Sequence, residues 1–267
     1  MSQRPQPLRR QILTSDGVSL SLLDTQKPGT TGLTLVLVPG WCMPARLWSA
    51  QVEGLADAFR ILAFDPRGQG ESQVPVQGYH FERRSQDLHE LIEPLSRVLL
   101  VGWSLGALEV LEYVHRYGEA HLAGLVLVDS SVGELPVPAP GGEFLKQLRE
   151  NRDSTLEAFV RSMVVKAWSL SEVQTLLSEI KRMSLDHSIA LLSSGIAREH
   201  WKKIAHAVGK PLGYVVTPEF IEQAKNLQIN RPGTQIELFA NSGHALFIDE
   251  PKRFNQWILE FAATLGQ

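Results

Sequence analysis

An apolar stretch, residues 98–101, runs directly into Gly102-Trp103-Ser104-Leu105-Gly106 and then into the helix-forming residues 107–117. That order predicts a buried strand, a tight turn and a helix. A side chain at either glycine would clash where strand and helix approach closely around such a turn. The turn leaves Ser104 exposed at the end of a strand, beside the positive end of a helix. Short Gly/Ser patterns also occur in ordinary loops, so the flanking strand and helix carry the weight of the reading.

The rest of the chain repeats the alternation of short apolar strands with longer helical patterns. Residues 11–23 read as an antiparallel hairpin around Ser15-Asp16-Gly17. Strands are expected at 33–38, 61–64, 99–102, 125–128, 212–216 and 235–239, with helical spacing over 46–59 and 81–95, through 227, and over 251–265. Pro251 suits the first turn of the last helix, where a missing N–H costs nothing. The alternation breaks after Asp129: residues 133–140 are dense in proline, and 144–208 carry helical patterns without a strand candidate. The expected architecture is α/β, a mostly parallel sheet of about eight strands with helices on both faces. Residues 1–132 and 209–267 would form the core, and 133–208 an inserted helical cap.

Length and charge narrow the function classes. A chain of 267 residues buries a sizeable core, as one large domain or a domain with an insertion. A net charge of -3 leaves no basic surplus for nucleic acid. The polar start, residues 1–10, reads as no export signal, and the longest apolar runs fall far short of the roughly 20 residues that span a bilayer. A cytoplasmic protein without membrane contact is expected. Cys42 is the single cysteine, which excludes an internal disulfide and a cysteine metal cluster. No cofactor or metal is expected.

A serine hydroxyl is almost wholly protonated at neutral pH and needs a base. Seven of the eight histidines lie in helical or pre-helical stretches, where packing or surface roles are the ordinary reading. His244 instead follows a predicted strand in Asn241-Ser242-Gly243-His244, so its loop falls at the same end of the sheet as Ser104. Acyl transfer also needs backbone donors for the developing oxyanion. The Leu105 N–H is one such donor; the second is expected from Val38-Pro39-Gly40-Trp41-Cys42, where Gly40 admits close approach and Trp41 supplies the N–H. Trp41 and Trp103 would wall the pocket, although core packing is the usual place for a tryptophan beside a strand end. Cys42, with no histidine nearby in sequence, reads as a small buried hydrophobe.

Pro39-Gly40-Trp41, Asp65-Pro66-Arg67-Gly68-Gln69-Gly70-Glu71-Ser72, the serine turn, Ser242-Gly243-His244-Ala245-Leu246-Phe247 and Asp249-Glu250-Pro251 together resemble the α/β-hydrolase superfamily, in order along the chain apart from the cap. The Gly-Trp and Gly-Trp-Ser-Leu-Gly segments are similar to pimeloyl-ACP methyl ester esterases, and the Asp65 loop to cofactor-free haloperoxidases and arylesterases. The resemblance implies a Ser, acid, His order with Ser104 as nucleophile and His244 as base. It argues against haloalkane dehalogenases and epoxide hydrolases, which carry Asp at the nucleophile position.

The acid departs from the commonest pattern of that superfamily, an aspartate after the last strand but one. No aspartate lies between Gly213 and Gly233; Glu219 stands there, in a place that also suits the first turn of a helix. Asp129, one strand after the nucleophile, is the better candidate, with Glu219 as the alternative, and it too has an ordinary reading as a loop aspartate bonding backbone N–H groups. A chain with no conventional acid is the third possibility. The expected reaction is two-step hydrolysis of a carboxylic ester, of a small molecule or an acyl-carrier-linked acyl group, with specificity set by the cap. Perhydrolysis, lactone opening, C–C hydrolysis, a lyase step and a non-catalytic receptor on the same fold stay open. Lys146, Arg149, Arg152 and Arg161 would suit an acidic carrier, but Glu143, Glu150, Asp153 and Glu157 interleave with them as on a solvated face. Oligomeric state is not legible.

Overall fold

The computed structural model describes residues 7–26, 29–139 and 141–266. Residues 1–6 of the polar start and Pro140 of the proline-dense stretch lie outside the described residues.

The apolar runs become β1 (Leu8–Leu13), β2 (Ser19–Asp24), β3 (Thr34–Val38), β4 (Arg60–Phe64), β5 (Val98–Trp103), β6 (Leu122–Val128), β7 (Leu212–Val216) and β8 (Gln235–Leu238). They form one sheet in the order β1-β2-β4-β3-β5-β6-β7-β8. β1 and β2 pair as the antiparallel hairpin expected around Gly17, which takes φ 79 in the turn. β2 runs antiparallel to β4, and every later pairing is parallel. β5 and β7 are buried along their whole length, and β6 at all but Ala123. Their Leu/Val runs therefore lack polar alternation, as strands covered on both faces do.

The helices among the described residues are α1 (Ser49–Leu55), α2 (Phe81–Ile92), α3 (Leu105–Tyr117), α4 (Gly142–Glu150), α5 (Arg152–Ser162), α6 (Leu170–Ile180), α7 (Leu185–Leu192), α8 (Arg198–Ala207), α9 (Ile221–Asn230), α10 (Leu246–Asp249) and α11 (Pro251–Ala263). The expected helix over 46–59 starts as a 3-10 turn at Ala45–Trp48 before α1. The glycines show how the layers divide. Gly102 of β5 lies against the start of α3, and Gly124 of β6 against Leu265 just past α11. Because Gly102 pairs with Leu127, three residues on from Gly124, the two glycines point to opposite faces. α3 and α11 thus cover the two sides of the sheet, α2 and α8 packing beside α3 and α1 beside α11.

Between β6 and β7 no strand occurs among the described residues, as expected for 144–208. That segment divides by packing. α4 packs on α5 and α7, and α5 on α6, whereas α8 packs on α3 and α9 in the layer against the sheet. Trp201 of α8 meets Phe81 at the start of α2, with ring centroids 4.9 Å apart. The α4–α7 group is tied to loops that follow strand C-termini: Arg46 forms a bidentate ion pair with Glu179, Arg182 donates to Ser72 O at 3.1 Å, and the Val165 N–H donates to the Asp249 carboxylate at 3.0 Å. These anchors place α4–α7 over the C-terminal edge of the sheet. No helix of the described residues is long and apolar enough to cross a membrane.

Candidate active site

The turn at Ser104 is as tight as its glycines suggested. A Cβ on Gly102 would meet Gly106 O at 2.4 Å, and one on Gly106 would meet Pro39 O at 2.6 Å, so any larger residue would force backbone apart. Ser104 itself sits at φ 56 and ψ -122, a strained conformation for a residue with a side chain. Its N–H donates to Val128 O at 2.9 Å, and its carbonyl accepts from Ala107 N–H at 3.0 Å. β6 and α3 thereby hold the turn from both sides, and the half-exposed side chain is presented at the N-terminus of α3.

His244 lies in the loop between β8 and α10. Trp103 carries that loop: its indole N–H donates to His244 O at 2.8 Å, and its ring stands 5.3 Å from the imidazole. Gly243 is needed there because a Cβ would meet Met163 O at 2.7 Å. Asp249 fastens the loop from below, accepting from the Gly243 N–H at 2.8 Å. Nothing local in the sequence marks Asp249 as this anchor, although it stands in the Asp-Glu-Pro segment that contributes to the family resemblance.

Asp129 follows β6 at φ 44 and is fully buried. Its Oδ2 lies 2.8 Å from His244 Nδ1, and its Oδ1 accepts from the Thr217 N–H at 2.7 Å. The Asp129 N–H donates to Val215 O at 2.8 Å, and the Tyr214 hydroxyl to Ser130 O at 2.5 Å, so β7 fixes the strained bend that aims the carboxylate. Glu219 is exposed just after Thr217-Pro218 and shares a cavity wall with His244. Among the described residues its carboxylate makes no hydrogen bond to the histidine.

The loop after β3 passes close over the serine: a Cβ on Gly40 would stand 3.1 Å from Ser104 Cβ. Among the described residues, the backbone N–H groups of Trp41 and Leu105 donate to no backbone carbonyl. Trp41 lines a cavity of about 300 Å³ with Ser104, Gly141, Phe144, Leu145, Phe159 and Leu192. Its indole N–H reaches Ser188 O of α7 at 2.7 Å, and its ring meets Phe144 and Phe159 edge-on. Trp103 was expected to wall the same pocket, but it is only 1% exposed. Its polar edge is committed to the His244 loop and its ring is packed under Gly40 and beside Phe247, so it supports the site from beneath. Cys42 is buried, and burial pushes its thiol up to about 12, which leaves it protonated at neutral pH.

A second cavity, about 490 Å³, opens on the His244 side, lined by Phe159, Ser162, Met163, Glu219, Phe220, Gly243 and His244. Phe159 belongs to both walls. The serine thus faces an apolar chamber, and the histidine a more polar one.

Comparison with known proteins fits this arrangement. The chain is 28% identical to a pimeloyl-[acyl-carrier protein] methyl ester esterase of Vibrio atlanticus over 256 residues, covering 86% of this chain and 95% of that one. It is 33% identical over 120 residues to a non-heme chloroperoxidase of Kitasatospora aureofaciens, covering 44% of this chain and 42% of the other. The solved structure of an esterase from Exiguobacterium antarcticum superposes with a TM-score of 0.81 at 21% identity, over 96% of this chain and all of that one. Residues 35–257, most of the chain, match the alpha/beta hydrolase family. With the sheet order, the serine turn and that match in agreement, the chain belongs to the alpha/beta hydrolase family.

Proposed function

We propose that this chain is a serine esterase that cleaves a carboxylic ester through an acyl-enzyme intermediate. The observation that carries the reading is the strained, half-exposed Ser104 in the wall of an apolar cavity, while the preceding residue, Trp103, holds the loop of a histidine that is itself hydrogen-bonded to a buried aspartate. His244 Nε2 takes the Ser104 proton, the serine oxygen attacks the ester carbonyl, and the Trp41 and Leu105 N–H groups stabilise the oxyanion. The tetrahedral intermediate collapses as the imidazolium returns its proton to the leaving alkoxide. Water, deprotonated by the same imidazole, then attacks the acyl-serine. The second tetrahedral intermediate breaks its bond to the Ser104 oxygen as the imidazolium returns the proton to that oxygen, which releases the acid and restores the enzyme. Asp129 holds the imidazole with its Nδ1–H directed away from the serine and stabilises the imidazolium; it keeps its own charge throughout.

The leaving group must lie on the His244 side, because that is where its proton comes from. The acyl part is then left with the apolar cavity under α4–α7, which act as the cap. Phe144, Leu145, Phe159 and Leu192 offer it no cation, so an apolar acyl group fits better than a carboxylated one. The Vibrio relative's name supports an acyl-carrier-linked ester as a second reading. Two of the four cap cations that would meet such a carrier are already engaged, Arg161 by Glu157 and Arg152 by Met183 O.

The test is labelling with a fluorophosphonate probe alongside turnover of p-nitrophenyl esters. Wild type should label and turn over, and Ser104→Ala and His244→Ala should do neither. An inert Ser104 would discard the esterase in favour of a receptor on the same fold.

A further inference from the structure

We propose that Gln69 is a positioning residue for the oxyanion site, setting the direction of the Trp41 N–H; the proposal rests on the serine-esterase reading above. Gln69 stands in the loop after β4 and is 1% exposed. Its Nε2 donates one hydrogen to Gly40 O at 3.1 Å and the other to Met43 O at 2.8 Å. Its Oε1 accepts from Arg84 Nη1 at 2.9 Å, and because an arginine only donates, that contact fixes which end of the amide faces the carbonyls. Arg84 in turn lies 2.7 Å from the Glu109 carboxylate, both residues being 2% exposed. Glu109 belongs to α3, the helix whose first N–H, that of Leu105, is the other oxyanion donor.

The peptide between Gly40 and Trp41 is planar and trans, so its C=O and N–H point in opposite directions. Holding the Gly40 carbonyl toward Gln69 therefore turns the Trp41 N–H away from it. Released, this peptide has reasons to rotate. Gly40 has no Cβ to resist a change of φ or ψ, and Cys42 is kept at φ 57, where a residue with a side chain is strained. Gln69 bonds both ends of that bend, Gly40 and Met43, which are also joined by the Met43 N–H to Gly40 O contact at 3.2 Å. The line Glu109, Arg84, Gln69, Gly40 thus sets one oxyanion donor relative to the element that supplies the other. The fully buried charged pair in the middle gives it stiffness, since neither partner can leave without stranding the other.

Gln69→Glu keeps the size of the side chain and the acceptor for Arg84, but an ionised carboxylate cannot donate to two carbonyls. Gln69→Met removes donor and acceptor alike, so the two variants differ in charge and share the lost clamp. Both should lower kcat about a hundredfold per titrated active site, the scale of one lost oxyanion donor, with KM within about threefold. Affinity for an alkyl boronic acid, which forms a tetrahedral adduct on Ser104, should fall in parallel with kcat/KM. Wild-type kcat and boronate affinity in both variants overturn the proposal. So does a loss that vanishes once turnover is normalised to titrated sites, since that would be a folding effect alone. If Ser104→Ala keeps full turnover, the esterase reading itself falls; if Ser104→Ala is dead and both Gln69 variants are normal, only the positioning role falls.

Discussion

Asp129 has two oxygens and two committed partners, the Thr217 N–H on one and the His244 ring on the other. Replacing it with asparagine keeps an acceptor for Thr217, so the fold around β7 should survive. What is lost is the charge facing the imidazole and the acceptor that fixes its tautomer. Asp129→Asn should therefore cut kcat/KM for a p-nitrophenyl ester by about 10²- to 10⁴-fold with little change in melting temperature. Glu219→Gln should stay within about threefold of wild type, because an exposed carboxylate not bonded to the histidine has no such function to lose. Sequence alone left these two acids open because each follows a strand that ends near the site. Their distinction depends on the bend at Asp129, which Val215 of β7 and Thr217 just after it impose, residues far along the chain. Gln69 escaped the sequence reading for a similar reason. It sits in a segment rich in turn residues, and nothing local shows that its amide reaches back to the loop after β3.

At the scale of elements, the hairpin edge of the sheet is fastened by charge. Asp24, at the end of β2, is fully buried between Arg10 of β1 and Arg60 of β4, at 2.7 and 2.8 Å. Burial pushes its carboxyl up, but hydrogen bonds from Arg60, the Gln26 N–H and Arg10 outweigh burial and hold it below its ordinary value. A carboxylate depressed by folding stabilises the native state at any pH above its unfolded value, near 4. That contribution is lost as pH falls through the lower, folded value. Asp24→Asn should accordingly melt at a lower temperature than wild type at pH 7, with the difference shrinking below about pH 4, as thermal scans across pH would show. Most elements were legible to within a few residues, because apolar period and turn residues act locally. The stretch over 46–59 reads as one helix but opens with a 3-10 turn. Its start is tied to the Asp65 loop, where the Asp65 carboxylate accepts from the Ala45 N–H at 2.6 Å.

At the scale of the whole molecule, α4–α7 convert the C-terminal edge of the sheet into two chambers separated at Phe159. The apolar chamber is finite, about 300 Å³, so acyl length should have an upper limit. Leu145→Trp should fill part of it and move the preferred p-nitrophenyl ester toward acetate. kcat/KM for the longest accepted chain should fall at least about tenfold, the scale of one or two methylenes excluded from an apolar pocket. An unchanged chain-length profile would show that the acyl group lies elsewhere. The sequence by itself determined the strand and helix order, the glycine-flanked serine turn and the placement of His244 in a loop at the strand ends. Those features follow from sterics and periodicity among near neighbours. Tertiary structure alone decided that Asp129 meets His244, 115 residues away, and that Trp103 lies beneath the site. It also decided that α8 joins the layer on the sheet while α4–α7 lie over its edge. Each of these depends on strand register and layer packing, which bring together residues whose local sequences carry no record of one another.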